Sequence, residues 1–267
     1  MNIDSYLTGA ALILGVSLSS VAGLLLVRKY FHLEKLKQCH EVGGYLLSVV
    51  GTMYAVLLGL VVVDAMTKFQ NARAVVETEA NSLADVFLLA EKLPQPKANS
   101  IRGLCHTYAT EVIEREWPAM GKGEIDRAAR RDVVNLMKEV ISFEPVNENQ
   151  KAIYPIIVQE ACQVWDNRRA RTNLATYGVP PVEWFVLILG GIVTVVFTYF
   201  FAIESLAAQV VMTSMVSLLI SLNLYLVVLF GAPFSGDLQV GADALKVDKL
   251  IFENQLGLKT EDSNNHS

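Results

Sequence analysis

The stretch that decides the fold is Gly43–Val63, GGYLLSVVGTMYAVLLGLVVV, running unbroken into Asp64–Ala90, DAMTKFQNARAVVETEANSLADVFLLA. Its first 21 residues carry no charge, and that is the length a helix needs to cross a hydrocarbon core of about 30 Å. In the second part Phe69, Ala72, Val76, Ala80, Leu83, Phe87 and Ala90 step by three and four, the period of one helical face. Neither Gly nor Pro stands between Val63 and Phe69. One helix is therefore expected to leave the membrane and continue in water until Pro94 and Pro96 end it.

Three more apolar runs reach spanning length: Tyr6–Val27, about 182–203, and about 207–230. The last two are separated by so few residues that they must form a helical hairpin. Ser20-Val21-Ala22 would pass as a cleavage site, but no Lys or Arg precedes the first run, which is too long for a signal segment. It is expected to be a retained span. Composition agrees, with 52% hydrophobic and 18% charged residues in 267. That excludes disorder and argues against a freely soluble enzyme. A net charge of −5 leaves no basic footprint for nucleic acid. Cys39, Cys105 and Cys162 are odd in number and form no CxxC, so neither a disulfide framework nor a zinc site is expected.

Residues 64–181 are far too many for a connection and enough for a domain. Their charges nearly balance, 15 Lys+Arg against 16 Asp+Glu. Helices are expected at about 98–117, stopping at Trp117-Pro118, at about 124–143, and from Glu148 to Tyr177, before Pro180-Pro181 breaks the chain. After the turn Pro233-Phe-Ser-Gly236, a short amphipathic helix carries Val240, Leu245, Val247, Leu250, Ile251 and Leu256, and the polar end from Thr260 is expected to fray. The expected organisation is a first transmembrane hairpin (1–63), a helical domain continuous with the second span (64–181), a second hairpin (182–231) and a C-terminal segment (232–267). The fold class is all-α, a polytopic membrane protein with a helical extramembrane bundle.

No catalytic constellation is present: there is no G-x-S-x-G, Walker loop or H-E-x-x-H. The four histidines have no partner at ligand spacing, so no metal and no cofactor is expected. Asp64, Glu183 and Glu204 sit at span ends, and Asn223 is expected to be the most buried polar side chain of the fourth span, as interhelical glue. The second span is distinctive in another way. Gly44, Ser48, Thr52, Ala55, Gly59 and Val62 recur every three or four residues as a stripe of mostly small, weakly polar side chains. The stripe either packs on neighbouring helices or, in copies around an axis, leaves room for water and ions. It continues through Met66 to Phe69, from small to bulky. The pore-lining candidates are thus Ser48, Thr52, Ala55, Gly59, Val62, Met66 and Phe69, the last three forming an apolar collar able to gate by dewetting.

Gly51-Thr-Met-Tyr54-Ala-Val-Leu-Leu-Gly59, then Glu79, Tyr108 and Glu116-Trp117-Pro118-Ala-Met120, resemble a bacterial family, domain of unknown function 4239, also called bestrophin-like. The Arg168–Arg171 cluster, Pro180, Trp184, Pro233-Phe-Ser-Gly236 and Val240 extend the resemblance over about residues 40–250. Gly51, Tyr54, Glu79, Trp117, Pro118, Arg168, Arg171, Pro233 and Gly236 are expected to be structural marks. Trp117 would be a wedge between helices. Arg168, Arg169 and Arg171 would pair with acids such as Glu77, Glu79 or Asp85, the alternative for these residues being an anion or lipid-headgroup site. By architecture, the resemblance implies a pentameric, anion-permeable channel whose second span lines the pore at an apolar neck. The acidic calcium site of animal bestrophins has no counterpart here.

A homo-oligomeric anion channel of the bacterial inner membrane is the leading expectation, with lipid, copies of itself and small anions as partners and no nucleic acid. A non-conducting membrane-anchored scaffold or sensory protein is the alternative, and a stator-like energiser subunit a minor one. Seven cationic residues flank the spans on the side of residues 64–181 (Lys68, Arg73, Arg168, Arg169, Arg171, Lys246 and Lys249) against four in 28–42. That count favours both termini and residues 64–181 in the cytoplasm.

Overall fold

The computed structural model describes residues 5–30, 40–201 and 205–258, with the backbone alone for 40–43. His32, Lys35, Lys37, Cys39, Glu204 and the tail from Thr260 lie outside the described residues. Every regular element among the described residues is helical: α1 Tyr6–Tyr30, α2 His40–Ala90, α3 Lys97–Glu111, a π-helical turn Val112–Glu116, α4 Trp117–Met120, α5 Ala128–Ile141, α6 Glu148–Thr176, α7 Pro181–Tyr199, α8 Leu206–Gly231 and α9 Asp243–Leu256. Four helical stretches are long and apolar enough to cross a membrane: Tyr6–Tyr30, Gly44–Ala90, Glu148–Tyr199, which carries its apolar run in α7, and Leu206–Gly231. As expected, α2 is a single helix of 51 residues, about 77 Å long at 1.5 Å per residue.

The chain forms two compact units, Met1–Phe69 with Tyr177–Leu238, and Gln70–Thr176 with Gln239–Ser267. In the first, α8 packs on both α1 and α7. Glycines set these distances. The Tyr225 ring lies where a Cβ on Gly9 would sit, and Tyr199 does the same at Gly23. Pro233 and Phe234 are buried, and Gly236 takes a positive φ of 77°, which L side chains rarely adopt. Close by in sequence, Asp237 Oδ2 accepts from the Tyr6 backbone N–H at 2.7 Å.

The polar interior of this unit differs from expectation. Asn223 is half-buried and its amide only donates to Leu219 O in its own helix. The buried polar side chains of α8 are Gln209, Thr213, Ser217 and Ser221, spaced by four along the face turned to its neighbours. Gln209 Nε2 reaches across the hairpin to the carbonyls of Phe201 at 2.7 Å and Tyr199 at 3.4 Å, while the Thr213 and Thr198 hydroxyls meet at 3.2 Å. Depth along a span does not decide burial; the helical face does.

In the second unit, the α2 residues Ala72, Val76, Ala80, Leu83, Phe87 and Ala90 are all buried. The core holds Ala80, Leu83, Phe87 and Ala90 of this stripe, with Ile101, Cys105 and Tyr108 of α3, Val133, Leu136 and Val140 of α5, Ile157 and Val164 of α6, and Leu245 and Phe252 of α9. The helix expected to stop at Trp117-Pro118 instead continues through the π turn and ends at Met120. A proline ring in a regular α-helix strikes the carbonyl four residues back, here Glu114, and the i→i+5 turn that holds Glu114 widens the backbone there.

Candidate functional site

Two groups of residues singled out by sequence have a defined geometry, one in each unit. The first is the membrane part of α2. Its side chains divide into three faces at intervals of about 120°, taking 100° per residue. One face is covered: Tyr54 and Leu58 are buried against Leu187 of α7 and Val227 of α8, with Val61 and Val62 beside them. The Tyr54 hydroxyl donates to Leu187 O at 3.0 Å, and Gly190 and Gly191 leave room for its ring. A second face carries Leu46, Val49, Met53, Val56, Leu60 and Val63, all exposed and apolar, the chemistry of a surface turned to lipid.

The third face carries Ser48, Thr52, Ala55 and Gly59, all exposed. The Ser48 and Thr52 hydroxyls are satisfied by Gly44 O and Ser48 O of their own helix, so they need no partner from another segment. A Cβ on Gly59 would meet no heavy atom within 4 Å, and neither would one on Gly51. Met66 continues this face and is exposed. Val62 and Phe69 do not stay on it. Steps of three turn them toward the covered side, where Val62 joins the Tyr54 cluster and Phe69 meets Phe230 edge-on at 5.6 Å. Below them, Asp64 and Lys68 pair at 2.9 Å near the helix surface.

The second group is a buried ionic cluster. Arg171 on α6 grips Glu79 on α2 with two bonds, Nε to Oε2 at 2.6 Å and Nη2 to Oε1 at 2.9 Å. Its Nη2 also reaches Glu116 Oε2 at 2.8 Å, and Arg168 donates to Glu116 Oε1. The Tyr108 hydroxyl donates to Glu79 Oε1 at 2.6 Å. Trp117 covers the group, its ring centroid 5.0 Å from the Arg171 guanidinium carbon and its indole N–H donating to Val240 O at 3.3 Å. Glu79, Glu116 and Arg171 are fully buried and Arg168 nearly so. Two cations against two anions leave the group neutral, the condition for burying ions at all.

Of the acids expected to meet the arginines, Glu79 does so, while Glu77 is exposed and pairs with Arg73. Arg169 is exposed too, as is Pro118. Glu116, not anticipated as a partner, becomes one through the π turn. Tyr108, Val112, Glu116 and Met120 are all buried, yet steps of four drift by about 40° in a regular α-helix. The wider turn removes part of that drift and keeps Glu116 inward. Burial first, and the Glu79 carboxylate second, hold the Tyr108 hydroxyl well above its ordinary pKa. Burial alone would lower the Arg171 guanidinium, but the attraction of Glu79 and Glu116 carries it above its ordinary value. The cluster ties α2, α6 and the π turn together. Among the described residues, no group of three or more His, Cys, Asp or Glu side chains could hold a metal ion.

Comparison with known proteins bears on the family and the fold. A family model, the Bestrophin-like domain, matches residues 14–245. No curated protein matches. Among solved structures, a membrane protein carrying one substitution is similar with a TM-score of 0.70 and 13% identity, over 92% of this chain and 98% of that one. A bacterial bestrophin homologue from Klebsiella pneumoniae, in two single-substitution variants, gives TM-scores of 0.65 and 0.69 at 15% and 13% identity, over 92% and 93% of this chain and 99% and 98% of those. At such identities the likeness is one of fold. With a family match over most of the chain, four apolar helices and the same fold as bacterial homologues, the chain belongs to the bestrophin-like family and is a multi-pass membrane protein of the bestrophin type.

Proposed function

We propose that the protein is the subunit of a homo-oligomeric anion channel of the bacterial inner membrane, with the open face of α2 lining the pore. The observation that carries this reading is the third face of α2. Ser48, Thr52, Ala55 and Gly59 are small and turned away from their own chain, while a separate face of the same helix already supplies the intramolecular packing. Packing within one subunit therefore does not account for the stripe. Small side chains around an axis leave a wide path, weakly polar hydroxyls tolerate water, and no fixed charge within this face opposes an anion. Met66, bulky and exposed on the same face, supplies the narrow part, flanked by Val62 and Phe69. A pentamer, with both termini and residues 64–181 in the cytoplasm, is the arrangement the family resemblance and the count of flanking cations favour.

Reconstitution of the purified full-length chain in planar bilayers, with its oligomeric state measured in parallel, tests the proposal. Anion currents from an oligomer are expected. A stable monomer, or an oligomer that stays silent under all salts, would transfer the chain to the scaffold reading.

A further inference from the structure

The C-terminal helix α9 holds to α2 and α3 by a face of three buried residues, Leu245, Asp248 and Phe252. Phe252 stacks on Phe87 of α2, with ring centroids 4.1 Å apart. Asp248 occupies the position between them, where the helical period calls for an apolar side chain. It is 9% exposed, and its Oδ2 is buried without a hydrogen-bond partner.

Among the described residues, no charged group forms a hydrogen bond or ion pair with it. From α2 comes a like charge, Asp85. On α3, Arg102 donates from Nη2 to Gln255 at 2.7 Å and lies over the Phe87 ring at 4.3 Å, its Nε being buried without a partner, and His106 lies 3.5 Å from Glu253. Glu111 pairs with Arg115. On α9 itself, Lys249 pairs with Glu114 of the π turn at 2.7 Å and lies 3.9 Å from Glu253, and Lys246 pairs with Asp243 at 3.0 Å. A carboxylate with one oxygen buried and unpartnered, beside another acid, is disfavoured against its neutral form.

We propose that α9 is a proton-responsive clasp, whose hold on α2 and α3 tightens when Asp248 takes up a proton. Burial first, and Asp85 second, push the Asp248 carboxyl up to about 6, against about 3.9 for a free aspartate. The docked helix thus binds more protons than the released one between about pH 4 and 6. Docking is strongest below that window and weakens as the pH rises through it. A shift of about two units corresponds to a change of up to about 100-fold in the docking equilibrium.

Amide hydrogen exchange on the full-length protein in lipid nanodiscs, corrected for intrinsic rates at each pH, reads this directly. Protection of 245–252 is expected to fall by about 10- to 100-fold from pH 4 to pH 7. Asp248→Asn, which imitates the protonated carboxyl, should keep the high protection across the range. Asp85→Asn, at an exposed site, should move the midpoint to lower pH. A flat wild-type profile, or the wild-type slope persisting in Asp248→Asn, would overturn the clasp. Should Asp248→Asn fail to dock α9 at any pH, the Asp85→Asn protein decides, and an unmoved midpoint counts against the proposal.

Discussion

The ring of Tyr54 fills the space that a side chain at position 190 would need: a Cβ on Gly190 would lie 2.5 Å from Tyr54 Cδ2. The tyrosine thereby brings α2 against α7 closely enough for its hydroxyl to reach Leu187 O. Gly190→Ala should force the ring aside and cost about 1–3 kcal/mol. Tyr54→Phe, losing only the hydrogen bond, should cost about 1 kcal/mol or less. Thermal unfolding of the detergent-purified proteins distinguishes the two. Equal losses would mean that the bond, not the close approach, holds the pair.

The buried ionic cluster should respond to unbalanced substitution far more than to its complete replacement. Arg171→Met leaves Glu79 buried with no cation, only the Tyr108 hydroxyl, and Glu116 with Arg168 alone, and is expected to cost about 3–5 kcal/mol. Replacing Glu79, Glu116, Arg168 and Arg171 together by apolar residues of similar volume should restore much of that. Arg169→Ala, at an exposed site, serves as the neutral control, within about 0.5 kcal/mol. Melting temperatures of the series are the measurement, and a mild Arg171→Met would contradict the pairing.

Along the open face of α2, the proposal assigns opposite effects to two positions. Met66→Ala should raise anion conductance by at least about twofold, by widening a dewetting constriction, and Gly59→Leu should lower it by filling the path. Val62→Ala and Phe69→Ala should have smaller effects than Met66→Ala, because both side chains turn toward the covered side. Single-channel recording ranks the four. If the order inverts, the narrow part lies elsewhere.

Topology can be read from thiols. Cys105 is buried, and burial pushes its thiol far above the ordinary value, so it should resist reagents even in open membranes. Cys162 is only half-buried. In a chain lacking native cysteines, Asn149→Cys at an exposed site should react with an impermeant maleimide only after spheroplasts are opened. Reaction in intact spheroplasts would place residues 64–181 outside.

What the sequence alone determined is the set of properties that are local to a helix. Gly43–Val63 has the length of a span and Phe69–Ala90 the period of a buried face, so the continuity of α2 and its end before Pro94 were legible residue by residue. The row of small residues from Ser48 to Gly59 was legible for the same reason, though not whether it packs on a neighbour. Only the tertiary structure decided which of the three faces of α2 is covered, because periodicity sorts residues onto faces without naming the partner of any face. It also decided the placement of Glu116, whose inward turn depends on a π insertion that no residue type announces, and whose partner Arg171 lies 55 residues away. The polar row of α8 was missed because Asn223 stands deepest along the span, whereas burial follows contact between helices. An apolar position occupied by Asp248 became visible in the same way, once α9 had a surface to lie on.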